Sequence, residues 1–250
     1  MPELFTTQEE ADTRLLLHCS HAADYSRYII IRSPDTDVFV LALAFYKDIG
    51  AHLYFQTGKG GNSHTVEVQK IHNQLGAIVC DALIGLHCFT GCDTVSSLYG
   101  IVKVKAMKAL LSNQEHCNTF QRIGTTFTVT RDLYEAVEAF TCEIYDVKDA
   151  KVSTKQGGTF RSEKCLERSL PPNQDSLQQH IQRANYEAAI NRRSLRKQPE
   201  IPPPVQHGWR MEGEHLVVHW MILPPAPQSV LELVHCQCKM CGRELHLQKA

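Results

Sequence analysis

A chain of 250 residues that is 43% hydrophobic, 21% charged and 8% aromatic has the apolar content to bury one sizeable core, and it is too hydrophobic to be a disordered tail. Its 26 basic and 27 acidic side chains leave a formal charge of −1, which excludes a uniformly basic chromatin-type binder. The basic residues do lean towards the C-terminal part, with 12 basic against 18 acidic in residues 1–150 and 14 against 9 in residues 151–250.

Thr7 to Glu10 has the spacing of a capping box, and Ala11, Leu15, Leu16 and Cys19 share one helical stripe, which predicts a helix from about Gln8 to Ala23. Tyr28 to Ile31 is a β-branched run closed by Ser33-Pro34, the pattern of a buried, parallel strand. Val38 to Phe45 is apolar throughout, and Asp37 can cap it as a helix. Leu53 to Gln56 and Thr65 to Val68 alternate as strands around a glycine-rich loop at Gly58 to Asn62. Ile71, Leu75, Ile78, Ala82 and Leu86 predict one helix from Val68 through Cys88, broken at Gly91-Cys92-Asp93. Val104, Met107, Leu110 and Leu111 predict another after Gly100. Helix, strand and helix in this order imply an α/β layered fold over residues 1–146.

Beyond Asp146 the composition turns polar, and residues 147–172 are expected to be a linker or inserted loop. Leu177, Ile181, Ala184 and Ala188 mark a helical segment within 173–198, trailed by the basic run Arg192 to Lys197. Residues 199–250 form a proline-rich C-terminal segment, with a strand expected at Leu216 to Trp220 between Pro202-Pro203-Pro204 and Pro224-Pro225.

Five carboxylates stand where hard cations could use them: Glu10 and Asp12 at a helix start, Asp35 and Asp37 after a strand, and Asp93 at a helix break. Magnesium and manganese take oxygen ligands, and two-ion phosphodiester cleavage gathers carboxylates from distant segments. Residues i and i+2 on a continuing helix point about 200° apart, so Glu10 and Asp12 can share a site only through an irregular first turn. Taken singly, each of the five also fits a cap or turn role.

Their order adds to this. Glu10-Ala-Asp12, Ser33-Pro-Asp35-Thr-Asp37, Gly91-Cys-Asp93 and the run from Leu98-Tyr-Gly100 to Leu111 resemble, over about residues 8–111, the flap endonuclease family of 5′ nucleases within the PIN-like superfamily. The resemblance implies a PIN-like parallel sheet flanked by helices, followed by a helix–turn–helix element. It implies a Mg²⁺ or Mn²⁺ pair held by Glu10, Asp12, Asp35, Asp37 and Asp93, with Asp35, Asp37 and Asp93 at the catalytic centre. Gly100, Lys103, Lys105 and Lys108 would hold the backbone of a DNA substrate, RNA being a further possibility. Where the family's turn carries a second glycine, this chain has Val102. The family's fold also begins well upstream of its acid-Ala-acid motif, so the expectation is a truncated or degenerate copy, with a partner chain completing the sheet edge. The function implied is metal-dependent phosphodiester hydrolysis on DNA; the alternative is a non-catalytic nucleic-acid-binding or interaction module on the same fold.

No stretch approaches the roughly 18 consecutive apolar residues of a spanning helix, and the start of the chain lacks the basic-then-apolar order of a signal peptide. An intracellular, reducing location follows as the expectation, the nucleus ahead of the cytoplasm. In that setting the scattered cysteines read as small buried hydrophobes. Cys236, Cys238 and Cys241 alone are clustered, and with His246 they could close a four-ligand zinc site. That segment resembles the beginning of a tesmin-type CXC domain, a zinc module that binds DNA, and its pairing with a nuclease-like domain suggests a transposon-derived protein. His72, His87 and His116 sit among apolar residues and read as interior histidines rather than bases.

Overall fold

The computed structural model describes residues 4–147 and 170–224. The fold is mixed α/β. In chain order its elements are α1 (Ala11–Ala23), β1 (Tyr28–Arg32), α2 (Thr36–Ala44), α3 (Tyr46–Ile49), β2 (His52–Thr57), β3 (His64–Glu67), α4 (Val68–Leu75) and α5 (Ala77–Thr90). There follow α6 (Lys103–Ser112), α7 (Gln114–Arg122), α8 (Arg131–Ile144), α9 (Gln174–Asn191), β4 (Trp209–Glu212) and β5 (His215–Val218).

β1 and β2 pair in parallel, with Tyr28 opposite His52 and Arg32 opposite Gln56. β3 returns antiparallel on the other side of β2, Tyr54 lying opposite Glu67. The three-stranded sheet is therefore mixed, and β1 is one of its edges. Strand alternation gives β1 two unlike faces. Ile29 and Ile31 enter the core, whereas Tyr28 and Ile30 are 65% and 66% exposed. The β-branched run thus marks a strand covered on one face, not a fully buried one.

Local chemistry moves several predicted boundaries. The capping box does not form: Glu10 is the N-cap of α1 but makes no side-chain cap bond, and its carbonyl accepts from the Thr13 hydroxyl at 3.0 Å. Asp35, not Asp37, caps α2, its Oδ1 accepting from the Asp37 amide at 2.9 Å. The helix expected from Val68 to Cys88 is two helices, parted at Gly76 with φ 83° and ψ 156°.

α5 is the axis of the core. Its Phe89 meets Phe120 of α7 and Phe140 of α8 with ring centroids 5.6 and 6.3 Å away, and all three are fully buried. A Cβ on Gly85 would stand 2.3 Å from the carbonyl oxygen of Phe120, so α5 and α7 cross at a distance only glycine permits. α9 packs on the same core through Leu177, Ile181, Ala184 and Ala188. Its buried polar residues fasten loops: Asn185 accepts from the Gly124 amide at 2.8 Å, and Arg183 donates to the His219 carbonyl at 3.0 Å. Arg192, at its end, pairs with Asp81 and donates to the carbonyls of Ile123 and Gln121 at 2.7 and 2.8 Å. These bonds hold α9 against α5, the end of α7 with the loop that follows it, and the segment at His219, and so join parts far apart in the chain.

A candidate metal centre

The parallel strand β1 delivers its chain to the carboxyl edge of the sheet, where open α/β folds place ligands. There Ser33 accepts from the Asp35 amide at 3.0 Å, and the resulting turn sets Asp35 and Asp37 at the start of α2. α1 starts beside it, with Asp12 in its first turn. One carboxylate oxygen each from Asp12, Asp35 and Asp37 lie within 4.8 Å of one another, and all three residues are half-buried. Burial and then the neighbouring charges of Asp35, Asp37, Glu10 and Asp93 push the Asp12 carboxyl above its ordinary range. Among the described residues no cationic side chain pairs with Asp12 or Asp35.

Asp37 is different. His87, from the last turn of α5, brings Nε2 to 2.9 Å from Asp37 Oδ1, and Lys103 Nζ lies 2.9 Å from His87 Nδ1. An ammonium can only donate, so Nδ1 accepts and a neutral ring carries its proton on Nε2, towards Asp37. That nitrogen is buried, with the Asp37 carboxylate beside it, and hydrogen bonding between the two is the main influence on Asp37. His87 holds the Asp37 carboxyl below its ordinary range, against the opposing effect of burial, with Lys103 assisting. The interior-histidine expectation is met in burial, and the structure adds a role beside a carboxylate.

Gly91 has φ +109°, and a Cβ there would stand 2.8 Å from the Cα of Ser97. Glycine lets residues 91–97 fold back on themselves, with the Cys92 amide donating to the Val95 carbonyl at 2.9 Å. This loop carries Asp93 to an open cleft of about 550 Å³ that also bears Asp35, Asp37 and Lys103. Asp93 and Glu10 stand outside the tight trio, yet close enough for their charges to reach Asp12. Of the five predicted ligands, three are gathered and two lie around them.

The predicted phosphate-holding residues divide. Lys103 begins α6 and faces the cleft. Lys105 forms an ion pair with Asp146 at 2.7 Å. Lys108 is exposed. Gly100 has φ +72° with open space where a Cβ would be. Val102 takes the extended N-cap position of α6 and is 65% exposed. Cys236, Cys238, Cys241 and His246 lie outside the described residues.

Two groups were not singled out from the sequence. Glu187, near the end of α9, is buried, and its Oε2 accepts from the Thr94 hydroxyl, next to Asp93, at 2.7 Å. Burial above all, with Cys92, Glu10 and Asp37 nearby, pushes its carboxyl up to about 7. Nothing in the sequence pattern around this helical glutamate points to this, because its neighbours come from remote segments. Cys92 itself is lowered to about 6, chiefly by its hydrogen bond with Cys88 one helical turn before.

No family model, no curated protein and no solved structure matches this chain.

Proposed function

We propose that the chain is a divalent-metal-dependent phosphodiesterase acting on DNA, built on a PIN-like, flap-endonuclease-like arrangement. The observation that supports this most strongly is the approach of Asp12 to Asp35 and Asp37 within 4.8 Å at the end of a parallel strand. Like charges so placed, with no cationic partner at Asp12 or Asp35 among the described residues, are unfavourable alone, and they are the donor set a hard divalent ion takes.

A bound Mg²⁺ or Mn²⁺ pair would polarise the scissile phosphodiester and supply the activated water of an in-line displacement. Asp12, Asp35 and Asp37 would hold it, with Glu10 and Asp93 completing the set from the rim. His87 keeps Asp37 ionised and therefore able to bind a cation. Lys103 is placed to receive a phosphate oxygen at the cleft, as are the amides following Gly100. Lys105 would do so only by leaving Asp146, and Lys108 would extend the contact along α6. The free edge of β1, with Tyr28 and Ile30 exposed beside it, is where a further strand or partner chain would add. A nuclear, transposon-derived protein is the setting this reading fits.

The test is incubation with branched and single-stranded DNA and Mn²⁺. Cleavage is expected, with loss of at least 100-fold in Asp35→Ala and Asp93→Ala, consistent with removing a stabiliser of developing charge. Cleavage indifferent to both changes would belong to a contaminant. Metal-independent binding that weakens steeply with salt, without turnover, would leave the non-catalytic binding module.

A further inference from the structure

Two sulfurs meet where α5 gives way to the loop that carries Asp93. Cys88 lies in the last turn of α5 and Cys92 on the loop, and between them Gly91 ends the helix with φ +109°. The Gly91 amide still donates to the Cys88 carbonyl at 3.4 Å, so the chain turns sharply there. The two thiols are hydrogen-bonded to one another, and both are free, with no disulfide joining them.

Their surroundings differ. Cys88 is fully buried, and Asn191 Nδ2 at the end of α9 donates to its sulfur at 3.5 Å. Cys92 is half-buried and lines the open cleft that also bears Asp35, Asp37 and Asp93. Among the described residues no other cysteine lines that cleft. A disulfide needs its sulfurs at about 2.05 Å and tolerates little backbone movement to get there. Thiols already in contact meet that condition. One sulfur open to solvent with a second shielded behind it is also the arrangement in which the first is oxidised and the second resolves it.

We propose that Cys88 and Cys92 are a peroxide-responsive pair that closes reversibly into a disulfide. The Cys92 sulfur attacks one oxygen of hydrogen peroxide; an S–O bond forms, the O–O bond breaks, and the other oxygen leaves as water with the thiol proton. The Cys88 sulfur then attacks the Cys92 sulfur; the S–S bond forms, the S–O bond breaks, and the hydroxyl leaves as a second water with the Cys88 proton. The two thiols give up two electrons and one peroxide becomes two waters. Exchange with a small dithiol reverses the step.

Closing the bond draws Cys92 towards α5 and away from the Thr94 hydroxyl, 3.7 Å from its sulfur in the reduced chain. The loop has little slack to absorb this, because its Cys92 amide is tied to the Val95 carbonyl and Gly91 lies against Ser97. Asp93, the next residue, must move with it. That a displaced Asp93 weakens a metal site rests on the proposed phosphodiesterase reading; the disulfide itself does not.

The full chain, reduced and then exposed to hydrogen peroxide in EDTA, is blocked with N-ethylmaleimide in urea, reduced, and labelled with iodoacetamide, and peptide mass spectrometry reads which cysteines take the second label. Equal second labelling of Cys88 and Cys92 is expected, and dithiothreitol before the maleimide should erase it. Cys92→Ser, at the half-buried position, should leave Cys88 a thiol. Cys88→Ser, whose hydroxyl can still accept from Asn191, should leave Cys92 as a sulfenic acid trapped by dimedone. Cys92 driven to a sulfinic acid while Cys88 stays a thiol, or Cys88 paired with any other cysteine, would overturn the pair. Mn²⁺ is expected to bind the oxidised chain about tenfold more weakly than the reduced one, a cost typical of disturbing what supports a ligand, and Cys92→Ser should abolish the difference. A disulfide without any change in Mn²⁺ affinity would overturn its coupling to the metal centre. A disulfide in a chain that neither binds Mn²⁺ nor cleaves DNA would leave the pair standing and remove the phosphodiesterase reading together with its control.

Discussion

Glu187→Gln isolates one buried carboxyl. In the fold this group holds its proton up to about 7, against 4.5 for an ordinary glutamate, chiefly because burial disfavours the anion. Below about 4.5 the carboxyl is protonated in both the folded and unfolded chain and has no effect on their balance. As pH rises towards 7 the unfolded chain releases the proton first, so stability falls; above 7 both forms are ionised and the whole difference has been lost. At about 1.4 kcal/mol for each pH unit between the two values, the loss comes to about 3 kcal/mol. Glutamine keeps an oxygen to accept from Thr94 and has no proton to lose. Urea unfolding in EDTA from pH 4 to pH 9, on the wild type and Glu187→Gln, should show a stability difference that grows in the variant's favour to about 3 kcal/mol at pH 8. A difference that stays constant across that range would refute the assignment of a buried, proton-holding Glu187.

Gly85→Ala places a methyl 2.3 Å from the Phe120 carbonyl oxygen and 3.0 Å from Ile123 Cβ, so α5 and α7 must separate; the expected cost is about 1–3 kcal/mol. An unchanged midpoint of urea unfolding would contradict the close crossing. His87→Ala removes the main influence lowering Asp37 and leaves burial, which acts the other way. The Asp37 carboxyl should therefore titrate at higher pH in a ¹³C NMR titration, and the stability it gives above the ordinary carboxylate range should begin to fade at higher pH on acidification. A titration curve that does not move would remove His87 from the centre.

Much of the secondary structure could be read from local pattern. The stripe through Leu15, Leu16 and Cys19 became α1, the run at Tyr28 became β1, and Leu177 to Ala188 became the core face of α9. Boundaries depended on finer competition: Asp35 took the cap that Asp37 also suits, and Gly76 divided a pattern whose apolar spacing continued through it. α7 and α8 were not foreseen. The buried face of α7 consists of His116, Cys117, Thr119 and Phe120, a mixture whose burial depends on α5 lying against it.

The sequence by itself determined which residue types were present for hard-cation chemistry and the order of the segments bearing them, because spacing and side-chain chemistry are local properties. It marked Asp12, Asp35 and Asp37, and the structure brings them together. Only the tertiary structure decided that Glu10 and Asp93 stand at the rim, that His87 and Lys103 act on Asp37, and that Glu187 accepts from Thr94 beside the centre. Those relations cross tens of residues of chain and arise where α5, α9 and the proline-rich segment pack together. Hydrogen-bond alignment and desolvation depend on these through-space distances, which no periodicity along the chain encodes.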